Sequence, residues 1–141
     1  MSFTYVIPDI HGRDDLLSRA LLEIDAHASG KIGVIVTIGD YVNKGPQSRQ
    51  VIERLLPGIG GGWRFVALKG NHDAMMVEGL RDPAKQAFWL ERGGDTALAS
   101  YGGGAARPYR VARSIAAAVC RCAPPLCARG RRSRDAAGEA E

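Results

Sequence analysis

Lys31-Ile32-Gly33-Val34-Ile35-Val36-Thr37-Ile38-Gly39-Asp40-Tyr41-Val42-Asn43-Lys44-Gly45-Pro46 joins a short apolar run to a glycine-punctuated polar loop. Residues 31–37 are rich in β-branched side chains and read as a strand buried on both faces. Gly39 lets the backbone bend sharply at the strand end. Asp40 then sets a carboxylate at the rim of a sheet, where open α/β folds bind their ligands. Lys44 can bring a cation on a flexible stem to the same rim. A Gly-Asp turn alone is also an ordinary structural feature. Its weight comes from two other strand ends that carry the same kind of chemistry.

The first is Phe3 to Ile7, a strand closed by Pro8 and followed by Asp9-Ile10-His11-Gly12. Asp9 and His11, two apart on an extended loop, can turn toward one point, although the pair also fits a plain polar turn. The second is Trp63 to Lys69, a strand running into Gly70-Asn71-His72-Asp73. The spacing predicts a helix from Ala74 to Leu80, with Asn71 or Asp73 available to cap it. Between these strands lie two more predicted helices. One opens at Asp14 and Asp15, runs through Leu17, Leu21, Ile24 and Ala28, and stops at Gly30. His27 on this helix reads as a surface or boundary residue. The other spans Ser48 to Leu56, buries Val51, Ile52 and Leu55, and ends at Pro57-Gly58. Asp82-Pro83 starts a further helix containing Phe88, Trp89 and Leu90. Gly93-Gly94-Asp95-Thr96 breaks it before a last turn over Ala97 to Tyr101. Trp63, Phe65 and Trp89 are most simply core or boundary aromatics.

The order β-α-β-α-β-α-α predicts an α/β fold with parallel strands, whose C-terminal ends share one edge. Asp9, His11, Asp40, Asn71 and His72 then converge there. Carboxylate, imidazole and amide oxygen form a mixed ligand set suited to manganese, iron or zinc. A central aspartate can bridge two cations about 3.5–4 Å apart, which is how two-metal sites handle in-line phosphoryl displacement. Lys44 can neutralise a phosphate oxygen and His72 can protonate a leaving alkoxide.

Composition narrows the classes. At 141 residues the chain is about one domain long, and 45% hydrophobic residues are too many for a wholly disordered chain. The formal charge of +4 is uneven: residues 1–109 hold 12 basic and 12 acidic side chains, and residues 110–141 hold 7 arginines against 3 acids. Cys120, Cys122 and Cys127 all lie in that tail, so the first 109 residues have no disulfide framework, which fits a reducing compartment. The start lacks a basic leader segment, and no stretch approaches the roughly 20 apolar residues of a membrane span. The expected location is the cytoplasm, with no membrane partner.

Asp9-x-His11, Gly39-Asp40-x-Val42-Asn43-Lys44-Gly45-Pro46 and Gly70-Asn71-His72-Asp73 resemble the first three motifs of the calcineurin-like metallophosphoesterases. They are most similar to the phosphoprotein phosphatase branch, which includes bacterial serine/threonine protein phosphatases and symmetrical diadenosine tetraphosphatases. The stretch Trp89-Leu90, Gly93-Gly94-Asp95-Thr96 and Ser100-Tyr101-Gly102 also looks like bacterial members, and the resemblance covers about residues 4–104. It implies a two-sheet sandwich flanked by helices and two divalent metal ions, manganese first, with iron or zinc as alternatives. Asp9, His11 and Asp40 correspond to ligands of one metal, with Asp40 bridging to a second that Asn71 also binds. His72 corresponds to the general acid, Asn43 to its orienting partner, and Lys44 to the phosphate-binding group. The implied reaction is hydrolysis of phosphate monoesters by metal-activated water, on a phosphorylated protein or a small phosphoester. The alternatives are a symmetrical bis(5'-nucleosyl)-tetraphosphatase and a catalytically impaired remnant. A non-enzymatic reading is a basic interaction protein acting through the tail.

Several positions depart from the family pattern. Lys44 offers a point charge where the family has an arginine fork. Asn43 stands where the family has an aspartate beside the catalytic histidine, and Asp73 replaces the usual glutamate. The family also takes two histidines for the second metal from its C-terminal half, whereas this chain has only His11, His27 and His72. The sequence therefore reads as the N-terminal part of the fold over 1–104, with the C-terminal half largely absent. Residues 105–141 follow as a basic tail, disordered or outside the family, in which Ala and Arg make up 19 of 37 positions. Nucleic-acid binding by phosphate neutralisation and a three-cysteine zinc site are the weaker readings of that tail. Translation in a shifted frame of GC-rich DNA is the stronger one.

Overall fold

The computed structural model describes residues 3–102. Three strands, β1 (Thr4–Ile7), β2 (Val34–Thr37) and β3 (Arg64–Ala67), form a parallel sheet in the order β1-β2-β3. Between and after them come α1 (Asp14–Ala28), α2 (Ser48–Leu55), α3 (Asn71–Arg81), α4 (Pro83–Trp89) and α5 (Asp95–Ser100). The α/β class and parallel pairing match expectation. Each strand is shorter than its apolar run, because pairing in register covers only four residues from Thr4↔Val34↔Arg64 to Ile7↔Thr37↔Ala67. Lys31, Ile32 and Lys69 therefore lie outside the ladder.

Both crossovers step across the sheet in one direction, so right-handed connections put α1 and α2 on the same face. That face is dry: Ile7, Ile35, Thr37 and Ala67 are buried against Leu17, Val51, Ile52 and Leu55. A bidentate ion pair from Arg54 of α2 to Asp14 of α1, at 2.6 and 2.8 Å, ties the two helices together. On the opposite face Val6 is 59% exposed, Val34 and Val36 are only half-buried, and Ile38 and Leu68 are exposed. The expectation that β2 is buried on both faces is thus corrected. Among the described residues, helices cover one side of the sheet only, and the expected N-terminal β-α-β-α-β part of the sandwich is present as one three-stranded sheet.

Other boundaries move for local reasons. Ser29 takes a left-handed conformation (φ 51) and its N–H returns to the Asp25 carbonyl, so α1 ends at Ala28, before Gly30 is reached. Asp82 accepts the Ala84 N–H and Pro83 opens α4 as expected. Arg92 and Gly93 leave helical geometry, and α5 then starts at Asp95 rather than Ala97. The expected division at residue 104 and all readings of the tail lie outside the described residues. Among the described residues no helix is long and apolar enough to cross a membrane.

A one-sided sheet makes unequal predictions for its two faces. Ile35→Ala, at 1% exposure, lowers the free energy of unfolding by about 2–5 kcal/mol. Val6→Ala on the open face costs under about 1 kcal/mol. Urea denaturation of both variants checks this, and equal losses would contradict the single covered face.

Candidate metal centre

Because Ile7, Thr37 and Ala67 end in register, the loops after β1, β2 and β3 leave one edge of the sheet together. Backbone bonds lace them. The Ile10 and His11 N–H groups donate to the Asp40 carbonyl, Gly12 N–H donates to Tyr41, and Gly45 N–H donates to the His11 carbonyl. Gly39 (φ 108) passes so close to the backbone of Gly70 that any side chain there would collide with it. Four non-glycine residues of these loops take left-handed backbone: His11 (φ 46), Asp40 (φ 52), Asn43 (φ 71) and Lys44 (φ 64). Such conformations cost about 1 kcal/mol or more each and persist only where surrounding bonds over-determine them.

At the Asp40 turn two carboxylates supply that determination. Asp73, fully buried in the first turn of α3, accepts N–H bonds from Gly70 (2.9 Å), Asp40 (2.9 Å) and Tyr41 (3.0 Å). Burial pushes its carboxyl above the usual carboxylate range, and those three N–H bonds oppose the rise. In return, Asp40 Oδ1 accepts the His72 N–H at 2.9 Å. Asp40 thus caps α3 from a different loop, so the helix begins at Asn71 rather than Ala74. Asn71 and His72 stand in the first helical turn, not on a preceding loop.

His11, Asp40 and His72 bring ring nitrogens and a carboxylate oxygen within 4.8 Å of one another. His11 Nδ1–H donates to the Val42 carbonyl at 3.2 Å, which turns the Nε2 lone pair inward. Facing that nitrogen are Lys44 Nζ at 3.0 Å, Asp9 Oδ2 at 3.7 Å and Asp40 Oδ2 at 3.8 Å. The two imidazoles meet edge to face with centroids 4.8 Å apart. His72 is nearly buried, and burial holds it below the ordinary histidine range. Asp40 opposes that shift, while Lys44 and His11 reinforce it. Behind His72, Asn43 Nδ2 lies 3.0 Å from Nδ1, and Trp89 Nε1–H donates to Asn43 Oδ1 at 2.9 Å.

The sequence-predicted residues therefore gather unequally. His11, Asp40 and His72 form the cluster, Asp9 and Lys44 reach its edge from exposed positions, and Asn43 sits buried behind His72. Asn71 is exposed at the first position of α3. His27 is exposed and meets the Tyr5 hydroxyl at 2.7 Å, well apart in its contacts. Nitrogen and carboxylate donors at this spacing, backed by a carbonyl that orients the histidine, fit a divalent cation.

A profile described as "Calcineurin-like phosphoesterase" matches residues 4–133. The chain belongs to the calcineurin-like phosphoesterase family. Serine/threonine-protein phosphatase 2 of Escherichia coli (strain K12) is 36% identical over 91 residues, covering 64% of this chain and 38% of that protein. The symmetrical bis(5'-nucleosyl)-tetraphosphatase of Paracidovorax citrulli is 38% identical over 85 residues, 58% of this chain and 29% of its own length. Its namesake in Delftia acidovorans is 33% identical over 85 residues, 58% and 28% respectively. The chain thus spans about a third of the length of these curated relatives. Calcineurin-like phosphoesterases depend on divalent metal, and the donors gathered here are of the kind they need.

Three contributors escape a reading by motif in this calcineurin-like phosphoesterase chain. Asp73 looks like a helix-capping acid, yet two of its three bonds go to another loop. The Val42 carbonyl carries no sequence signal at all. Trp89 is indistinguishable from an ordinary core aromatic until its indole N–H is seen on Asn43.

Asp73→Ala strands three backbone donors, two of them in the Asp40 turn. At about 1–3 kcal/mol for each buried unpaired donor, the variant loses more than about 3 kcal/mol. Urea denaturation in metal-free buffer reads this, and a loss under about 1 kcal/mol would contradict the lock.

Proposed function

We propose that this chain carries the metal- and phosphate-binding half of a phosphoprotein phosphatase-type site that hydrolyses phosphate monoesters. The observation that carries the reading is the convergence of His11, Asp40 and His72 within 4.8 Å, with Lys44 at the same edge. Asp9, His11 and Asp40 would hold one divalent cation, manganese by donor type, with iron or zinc also compatible. Asp40 and Asn71 would hold a second, more loosely, because two protein ligands are few. A bound cation supplies charge neutralisation and lowers the pKa of water.

The chain's own groups do the rest. The Val42 carbonyl keeps His11 in the tautomer whose Nε2 lone pair is free to ligate. Lys44 binds a phosphate oxygen as a point charge, so it orients the group less tightly than an arginine fork. His72 stands beside the cluster as the proton donor to the departing oxygen. Burial favours the neutral ring, which can only donate a hydrogen bond to that oxygen, so transfer of the proton takes the imidazolium form and is weakened here. A phosphorylated protein is the first substrate class, by likeness to the E. coli phosphatase. The two relatives named as symmetrical tetraphosphatases favour a dinucleoside tetraphosphate as the second.

The test uses the 141-residue chain with manganese. Asp40→Asn keeps an oxygen for the His72 N–H but removes the charge, and it lowers manganese affinity and p-nitrophenyl phosphate turnover by about 100-fold or more. Unchanged metal content in this variant, or an unmodified chain that neither binds manganese nor turns over, overturns the reading. The ratio of phosphopeptide to diadenosine tetraphosphate turnover decides between the two substrate classes.

A further inference from the structure

We propose that Trp89 fixes the tautomer of His72 through Asn43, so that His72 faces the centre with its proton on Nε2 while His11 faces it with a lone pair. The argument rests on what each group is able to donate. An indole nitrogen only donates, so the Asn43 atom that meets Trp89 Nε1 at 2.9 Å is the amide oxygen. The other end of the amide, its NH2, then meets His72 Nδ1 at 3.0 Å. Two donors cannot share one bond, so Nδ1 is the bare nitrogen. A neutral imidazole has a single N–H, and here it stands on Nε2. His11 is set the other way, because a carbonyl can only accept and Val42 takes the Nδ1–H.

The arrangement has no slack. Trp89 and Asn43 are both wholly buried. Gly94 packs flat on the indole, where an added Cβ would lie 2.6 Å from Cε2. Turning the amide over would set NH2 against the indole N–H in a dry site. Trp89 and Asn43 are therefore positioning residues, acting on His72 through this pair of bonds. One consequence is that the three-member cluster contains two ligands and one donor, since a protonated Nε2 has no lone pair for a cation. The catalytic meaning rests on the reading of His72 as proton donor; the tautomer itself does not. An aspartate at position 43 would reverse the order, accepting from Trp89 with one oxygen and from an Nδ1–H with the other.

The experiment is long-range nitrogen–proton correlation on the full chain, metal-free and labelled at its three histidines, at about pH 8.5, above the ordinary histidine range. In the unmodified chain, His72 shows a pyridine-like Nδ1 and a pyrrole-like Nε2, and His11 shows the reverse. Asn43→Asp exchanges the two His72 signals and leaves those of His11 in place. Trp89→Phe, which keeps a ring but no N–H, gives His72 an averaged pattern. A pyrrole-like Nδ1 on His72 in the unmodified chain, or a pattern unmoved by Asn43→Asp, overturns the proposal. Should Trp89→Phe fail to fold, the other two spectra decide. None of these readouts uses turnover, so failure here is separable from failure of the proposed activity.

Discussion

Two buried carboxylates hold this structure together at its working edge by exchanging backbone N–H groups between loops. Asp73 on α3 takes the N–H of Asp40, and Asp40 takes the N–H of His72 on α3. Each loop thus closes the other. The positive end of α3 lies beneath both acids and offsets their mutual repulsion. The placing of Asp40 and His72 follows from this exchange. It turns Asp40 Oδ2 toward His11, and it starts α3 early enough to bring His72 into the cluster.

The two histidines of the centre look alike in sequence and differ in the protein. A carbonyl stands behind His11 and an amide NH2 behind His72, so the hydrogen bonds that hold the two rings run in opposite directions. Asn43 in place of the family's aspartate is therefore more than a lost charge. An aspartate supports an imidazolium, whereas this amide supports a neutral ring. Lys44 changes in the same direction, since a lysine neutralises charge without imposing the bidentate geometry of arginine.

Much of this was legible in the sequence because it depends on local order. The three polar clusters follow apolar runs, helical lengths separate them, and parallel topology alone makes Asp9, His11, Asp40 and His72 neighbours. What stayed hidden depends on partners distant in the chain. The start of α3 at Asn71 is set by a cap from Asp40, 32 residues upstream of His72. Trp89 reaches Asn43 across 46 residues. The open sheet face escaped for a different reason: Val34 and Val36 are as apolar as any buried pair, and a valine does not say whether something covers it.

The left-handed backbone of His11, Asp40, Asn43 and Lys44 carries one more implication, about drift rather than chemistry. At each of these four positions glycine would sit more comfortably than the residue present. Relief of that strain would be the easier change at His11 and Lys44, because Asp40 and Asn43 also carry buried hydrogen bonds whose loss would destabilise the fold. A histidine, an aspartate, an asparagine and a lysine at four strained positions therefore make these loops the part of the chain where backbone comfort gives way to the placing of side chains.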